Sequence, residues 1–229
     1  MKAVLMAVLL VGGCARGGTG ISGDGAVGED STIRRDSVEA FPDAPPDAPP
    51  DAPPDACIPV VTQLLQNPVF DLTPDGVGWS QQLIQAGYPL ITGQDGIAEH
   101  SAPFKAWLGG FTGSSVTDVL HQDIAIPAMT TQLVLTGYYD VRTQEAANET
   151  VAYDTASMAV TQTNGTPIVT ILSMSNLTPK TVWTLFTHTF AQNLSGQTVR
   201  LRLTSSNDSS LVSSFYFDTF SLTATHGCP

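Results

Sequence analysis

From Gln132 almost to the C-terminus, apolar and polar residues trade places at every second position. That alternation constrains the fold more than any other feature. Successive side chains of a strand point to opposite faces, so a period of two buries one face and wets the other. Six segments carry the pattern: QLVLTGYYDV (132–141), YDTASMAVTQT (153–163), PIVTILSM (167–174), TVWTLFTHTF (181–190), QTVRLRLTS (197–205) and SSFYFDTFSLTA (213–224). All are rich in β-branched or aromatic residues. Asn164-Gly165 falls between two of them and predicts a hairpin, because both residues tolerate φ > 0. Ser195-Gly196 marks a second turn. No stretch of a dozen residues between 57 and 229 keeps a helical period. The expected fold is all-β with eight or more strands: a two-sheet antiparallel β-sandwich of jelly-roll type.

Upstream, the composition changes. FPDAPPDAPPDAPPDAC (41–57) repeats Pro-Asp-Ala-Pro every four residues. Proline fixes φ and removes the amide donor, which leaves polyproline II. Residues 42–56 would then extend about 45 Å at ~3.1 Å per residue. Asp43, Asp47, Asp51 and Asp55 keep such a rod solvated. The reading is a spacer; a Pro-rich ligand for a partner is the alternative. GGTGISGDGAVGEDS (17–31) is Gly-rich and polar and is expected to be a flexible, disordered linker.

The N-terminus explains what the spacer connects. Lys2 precedes a run of apolar residues from Ala3 to Val11. That run is far short of the roughly 20 residues needed to cross a bilayer and matches a signal-peptide core. Gly12, Gly13 and Cys14 follow. Val-Gly-Gly-Cys resembles a bacterial lipobox, in which the chain is cut before the cysteine and a diacylglyceryl group is placed on its thiol. The resemblance implies a signal peptide at 1–13, a lipid anchor on Cys14 and a tether at 14–56. Ala15, where an Asp would signal retention, implies the outer membrane. An ordinary secretory signal containing a cysteine is the alternative. With Cys14 lipidated, Cys57 and Cys228 remain, one at each end of the β unit (57–229). An even pair in an oxidising compartment is expected to close as a disulfide joining the first strand to the last.

Charge narrows the partners. The chain holds 9 Lys plus Arg against 21 Asp plus Glu, a formal net charge of -12. Nucleic acid and acidic headgroups would be repelled, so membrane attachment is expected through the lipid alone.

Several stretches carry a family likeness. LLQNPVFDLTPDGVGW (64–79), HSAPFKAWLGGF (100–111), DVLHQDIAIP (118–127) and GQTVRLRLTSSNDSSLVSSFYFDTFSL (196–222), in this order and spacing, resemble galactose-binding-like jelly rolls. They are similar to the domain found C-terminal to secreted serine peptidases and to carbohydrate-binding modules. The resemblance implies a binding role for a glycan or cell-envelope polymer. A structural or adhesive protein-binding module and a peptidase-associated accessory domain are the alternatives. It also implies a structural calcium ion, with Asp71 and Asp218 as the matching acids. An uncompensated Asp218 between Phe217 and Thr219 would be costly, so it needs a metal or a hydrogen-bond partner. Asp118 and Asp154 open strands and read as turn caps.

Candidate ligand contacts are Tyr138 and Tyr139, which face opposite sides of one strand so that one is exposed, and Arg142 and Glu145 in the polar stretch DVRTQEAANET (140–150). Trp79, Trp107 and Trp183 offer a stacking platform, although large aromatics in a sandwich are mostly core, and Trp107 in AWLGG reads as buried. His188 reads as exposed. Catalysis finds no support in the sequence. GGFTGSS (109–115) is not a nucleophile elbow, and His100, His121, His188 and His226 lack metal-ligand spacing. The expectation is a non-catalytic protein.

Overall fold

The computed structural model describes residues 57–228 apart from 75, 83–87, 94–95 and 112–113. The signal peptide, Cys14 and the spacer therefore lie outside the described residues. Eleven strands are present among those described: β1 (Val60–Gln63), β2 (Ser80–Gln82), β3 (Ile91–Thr92), β4 (Lys105–Gly109), β5 (Val116–Ala125), β6 (Gln132–Thr143), β7 (Thr155–Gln162), β8 (Pro167–Ser175), β9 (Lys180–Thr189), β10 (Thr198–Asn207) and β11 (Ser213–His226). They form two antiparallel sheets. One is ordered β3-β4-β11-β6-β9, with β1 also on β11, and the other β2-β5-β10-β7-β8. This is the all-β, two-sheet jelly-roll sandwich that the alternation demands.

The two inner faces meet over a core that includes Phe70, Trp79, Leu120, Leu135, Met158, Leu201, Leu203, Phe217 and Phe220. Period two is followed closely along β10, where Val199, Leu201 and Leu203 are buried and Arg200 and Arg202 are partly exposed. The turn between β7 and β8 is the hairpin that Asn164-Gly165 marks. Gly165 has the positive φ (91°), and its amide bonds Gln162 O at 2.9 Å. The Asn164 side chain instead accepts the Thr166 amide at 2.9 Å. The hairpin thus combines a tight turn with a glycine in the left-handed region, a geometry that needs only one such residue.

β11 organises its sheet. Its first half pairs with β4 (Phe215↔Leu108) and its second half with β1 (Val60↔His226). Between these halves its register with β6 shifts from Asp218 to Ser221, and Thr219 takes φ 53°. The bulge re-aims the chain. It turns Asp218 towards the loop before β4 and sends Phe220 back into the core. Cys57 and Cys228 are joined, with Cα atoms 5.7 Å apart, beside the β1–β11 pair.

Two side chains of this unit depart from the sequence reading. Trp107 is half-buried on the outer face of its sheet. Ala106 and Leu108 take the two inward positions of β4, so alternation turns the indole away from the core and onto Tyr216, with ring centroids 5.5 Å apart. His188 is not exposed. Its ring stands edge-on to Phe190 at 4.8 Å, and its Nε2 is enclosed without a partner. Trp79 lies in the core as expected, its Nε1 donating to Asn67 O at 3.0 Å.

Candidate functional site

Polar and aromatic groups gather on the outer face of the six-stranded sheet. β6 turns Tyr138, Asp140 and Arg142 to this side, β4 supplies Lys105 and Trp107, and β11 supplies Tyr216. The segment 96–104 crosses above them. Gly96 (φ 74°) lies so close to the Tyr216 hydroxyl that a Cβ there would sit 2.5 Å from it, so this crossing requires glycine. Further along, Ala98 O accepts from Trp183 Nε1 at 3.1 Å, and the His100 ring stacks on Tyr138 at 3.7 Å. Glu99 meets the fully buried Lys105 ammonium at 3.0 Å. An unpaired ammonium would not remain in that position.

Arg142 forms a fork on Asp140, Nε to Oδ1 at 2.6 Å and a terminal nitrogen to Oδ2 at 2.9 Å, and also donates to Thr181 O. Hydrogen bonding to Asp140 holds the guanidinium above its usual range. Burial pushes the Tyr216 phenol up, against the pull of a hydrogen bond with Ser214.

Two clefts open on either side of this fork. One, of about 300 Å³, is lined by Ile97, Ala98, Glu99, Asp140, Val182 and Trp183; the other, of about 470 Å³, by Thr143, Glu145, Ala146, Glu149, Asn176, Leu177 and Pro179 among others. Arg142 and Thr181 line both, so the two clefts are neighbours with Arg142 at their divide. Of the four sequence candidates, Arg142 and Glu145 meet here. Tyr138 is on the same face but lies under His100. Tyr139 is corrected: it points inward and packs near Phe186 at 6.4 Å, and neither tyrosine is fully exposed. Glu149, Thr181 and the 97–99 segment were not singled out in the sequence. Glu149 lies in the same polar stretch as Arg142, and only tertiary placement brings Thr181 and the 97–99 segment there.

A second constellation surrounds the β11 bulge. Asp71 Oδ1 accepts the Phe104 amide and its Oδ2 the Ser101 hydroxyl, both at 3.1 Å. Asp218 Oδ2 accepts the Ser101 amide at 2.8 Å and Oδ1 the Thr219 amide at 2.6 Å. Burial pushes the Asp218 carboxyl up to about 6; the Ser101, Thr219 and His100 amides pull it down, and Asp71 nearby adds to the rise. The two acids matched by resemblance thus converge on one serine. Asp118 accepts the Gly109 amide at the end of β4, and Asp154 accepts the Asp208 amide of the loop after β10. Among the described residues, no group of three or more His, Cys, Asp or Glu side chains is arranged to hold a metal ion.

No family model matches the chain, and no curated protein does. Solved structures do. A structure of TmCBM61 in complex with beta-1,4-galactotriose is 13% identical with a TM-score of 0.43, over 70% of this chain and 97% of that one. The K3 adhesin domain of Lys-gingipain from Porphyromonas gingivalis is 10% identical with a TM-score of 0.44, over 73% of this chain and 100% of that one. A cyclase from Fischerella is 15% identical with a TM-score of 0.45, over 74% and 98%. Binding modules and an enzyme stand side by side in this set, and at such identities no ligand or activity passes from them to this chain.

Proposed function

We propose that this chain is an extracellular binding module that takes a glycan or cell-envelope polymer at the two clefts divided by Arg142. The observation that carries the reading is the pair of clefts itself: they share Arg142 and Thr181, with an anchored indole in one and carboxylates in the other. Sites for small ligands are concave, with a few well-placed polar groups and aromatic rings. A sugar suits this set, since its C–H face lies against an indole while its hydroxyls accept from guanidinium and donate to carboxylate. The Asp140 fork and the Ala98 carbonyl hold Arg142 and Trp183 in place before any ligand arrives, which lowers the ordering cost of binding. Titration of the full chain with a polysaccharide panel is expected to give a binder, and Trp183→Ala is expected to weaken it about tenfold, the loss of roughly 1–1.5 kcal/mol of ring contact. Unchanged affinity in both Trp183→Ala and Arg142→Ala would remove the clefts from the reading.

Attachment is the second part of the proposal. Cys14 carries the lipid anchor and holds the module at the cell envelope, on the outer membrane. Three acyl chains would hold it firmly, because each buried methylene contributes about 0.8 kcal/mol. The intact mass of the mature protein checks this. A chain that keeps residues 1–13, or begins at an unmodified Cys14, refutes it.

A structural calcium at Asp71 and Asp218 is the third part. Two converging carboxylates suit a cation. All four of their oxygens already accept a donor, which suits amide capping equally. Calcium would need further oxygens to reach six to eight ligands. Acid decides between them, because the two cases have opposite signs. Without a cation the native state holds the Asp218 proton more tightly than the unfolded chain, whose pKa is about 3.9. Ionisation therefore costs stability on the order of 3 kcal/mol by about pH 7, a cost that fades as pH falls through 6 and is absent below about 4. With calcium bound the carboxylate is favoured, and stability falls on acidification. The stability of the wild type relative to Asp218→Asn, followed from about pH 7 to 4 with and without chelator, separates the cases. A chelator-independent rise towards acid removes calcium.

A further inference from the structure

Edge strands expose unpaired amides and carbonyls, and most edges of this sandwich are blunted. β1, β2 and β3 have four, three and two residues. β8 has nine, but Pro167 opens it and its register with β7 shifts twice. β9 is different. It has ten residues, and among the described residues only β6 pairs with it. From Thr184 to Thr189 its register with β6 is unbroken. The stretch from Thr181 to Thr189 contains no Pro, Gly, Asp, Glu, Lys or Arg. Thr187 and Thr189 are exposed, and Leu185 beside them is 57% exposed. A long, uncharged edge of this kind is a template for another strand.

The ladder fixes which groups are free. The Phe190 amide donates to Leu133 O at 3.0 Å, one step past the Val134↔Thr189 pair. Bonded and non-bonded pairs alternate along an antiparallel ladder, so Thr184, Phe186 and His188 turn their amides and carbonyls to β6. Leu185, Thr187 and Thr189 turn theirs to the open edge, and their side chains share the outer face of the sheet. We propose that this edge pairs antiparallel with β9 of a second copy of the chain, about a two-fold axis at Thr187. In that register Thr187 faces Thr187 and Leu185 faces Thr189, and each pair exchanges the free amide and carbonyl groups. The Leu185 side chain is then covered by a threonine across the interface. Charge selects a copy over a foreign strand. A partner chosen by charge would dock against acids, and β9 has none. Two copies of a chain with a formal net charge of -12 repel each other over most of their surfaces, and this neutral edge is where they meet. A ladder with one apolar contact is a small interface, so the dimer is weak and concentration-dependent. The proposal is independent of what the two clefts bind.

Sedimentation velocity of the full chain from ~1 µM to ~1 mM, a range that spans weak association, is expected to show dimer growing with concentration. Thr187→Lys sets two ammonium groups face to face and is expected to weaken association about tenfold. Thr187→Pro removes an outward donor without removing a bond to β6 and is expected to act in the same direction. Thr170→Lys, at an exposed position of β8, is expected to leave association unchanged. Thermal unfolding of Thr187→Lys near the wild-type temperature confirms that the fold survives. Hydrogen exchange of the wild type reads the register without any substitution. The Leu185, Thr187 and Thr189 amides should gain protection as concentration rises, while those of Thr184, Phe186 and His188 are protected throughout. A monomer over the whole range, a dimer that persists in both Thr187 variants, or protection gained elsewhere in place of β9 overturns the proposal. A monomer that seats an unrelated extended peptide on β9 also overturns it and gives the edge to a foreign strand.

Discussion

Phe220→Ala is expected to destabilise the sandwich by about 3–5 kcal/mol, the range for truncating a buried phenylalanine. The ring is 2% exposed and meets four others: Phe70 at 5.4 Å, Phe186 at 6.0 Å, Trp79 at 6.1 Å and Phe217 at 6.3 Å. It joins the segment before β2, the strand β9 and β11 itself, so its loss opens a cavity bounded by three parts of the chain. Partial collapse is hindered because Phe220 leaves the β11 bulge, where its amide is fixed to Pro68 O at 2.8 Å. Gly137 gives the counterpart. A Cβ at that position would lie 2.3 Å from Phe220 Cδ1 and 2.9 Å from Phe186 Cε1. Gly137→Ala is thus expected to overpack the same site by about 1–3 kcal/mol. Combined with Phe220→Ala, the new methyl enters the vacated space, and the double variant is expected to lose less than the two single losses added together. Urea unfolding of the three variants measures this. A Phe220→Ala loss below about 1 kcal/mol, or strict additivity of the pair, would show that the ring cluster does not close the core.

The long strands were legible because burial on one face writes a period of two into the sequence. All six alternating segments match β6 to β11 within two or three residues. The N-terminal strands were not legible, and the reason is physical. β1, β2 and β3 have four, three and two residues, too few to show a period. β5 is long but carries Asp118 and Gln122 on buried positions, which breaks the alternation. Gln122 is accommodated by loop partners: it accepts the Gln66 amide and donates to Gln66 O and Gly78 O. Loops that fold back over a sheet leave no local signal. The same holds for the site. Arg142 and Glu145 were visible as polar residues at a strand end. Glu149 belongs to the same polar stretch, whereas their neighbours Thr181 and Glu99 come from other segments, and the fork on Asp140 needs the β6 backbone to place both side chains on one face. Trp107 was misread because a run of apolar residues looks uniformly buried unless the outward position has something to lie against, and Tyr216 provides it.

Removing the Cys57–Cys228 bond, by reduction or by paired Cys→Ser substitution, is expected to cost about 2–5 kcal/mol. The bridged residues lie 171 apart, so the bond closes almost the whole described unit. Loop entropy gives about 5 kcal/mol for such a span as an upper figure, with residual structure in the unfolded chain lowering it. A second, local effect is expected at β1. This strand has four residues, of which Val60 and Val61 are exposed, so burial does little to hold it on the sheet. What remains is its ladder with Thr223–His226, a bond from Thr62 to His226 at 3.0 Å and the Gln63 side-chain contacts with Ser221 and Leu222. Without the covalent clip β1 should fray first and uncover the last stretch of β11 as a free edge, a template for association. Hydrogen exchange distinguishes the two effects. Amides of residues 60–64 and 223–226 should lose protection at once in the reduced protein, while those of β10 fall only with global stability. Equal loss across the sandwich would assign the whole effect to the unfolded state, and no loss in either region would mean that the sheet holds its ends without the bond.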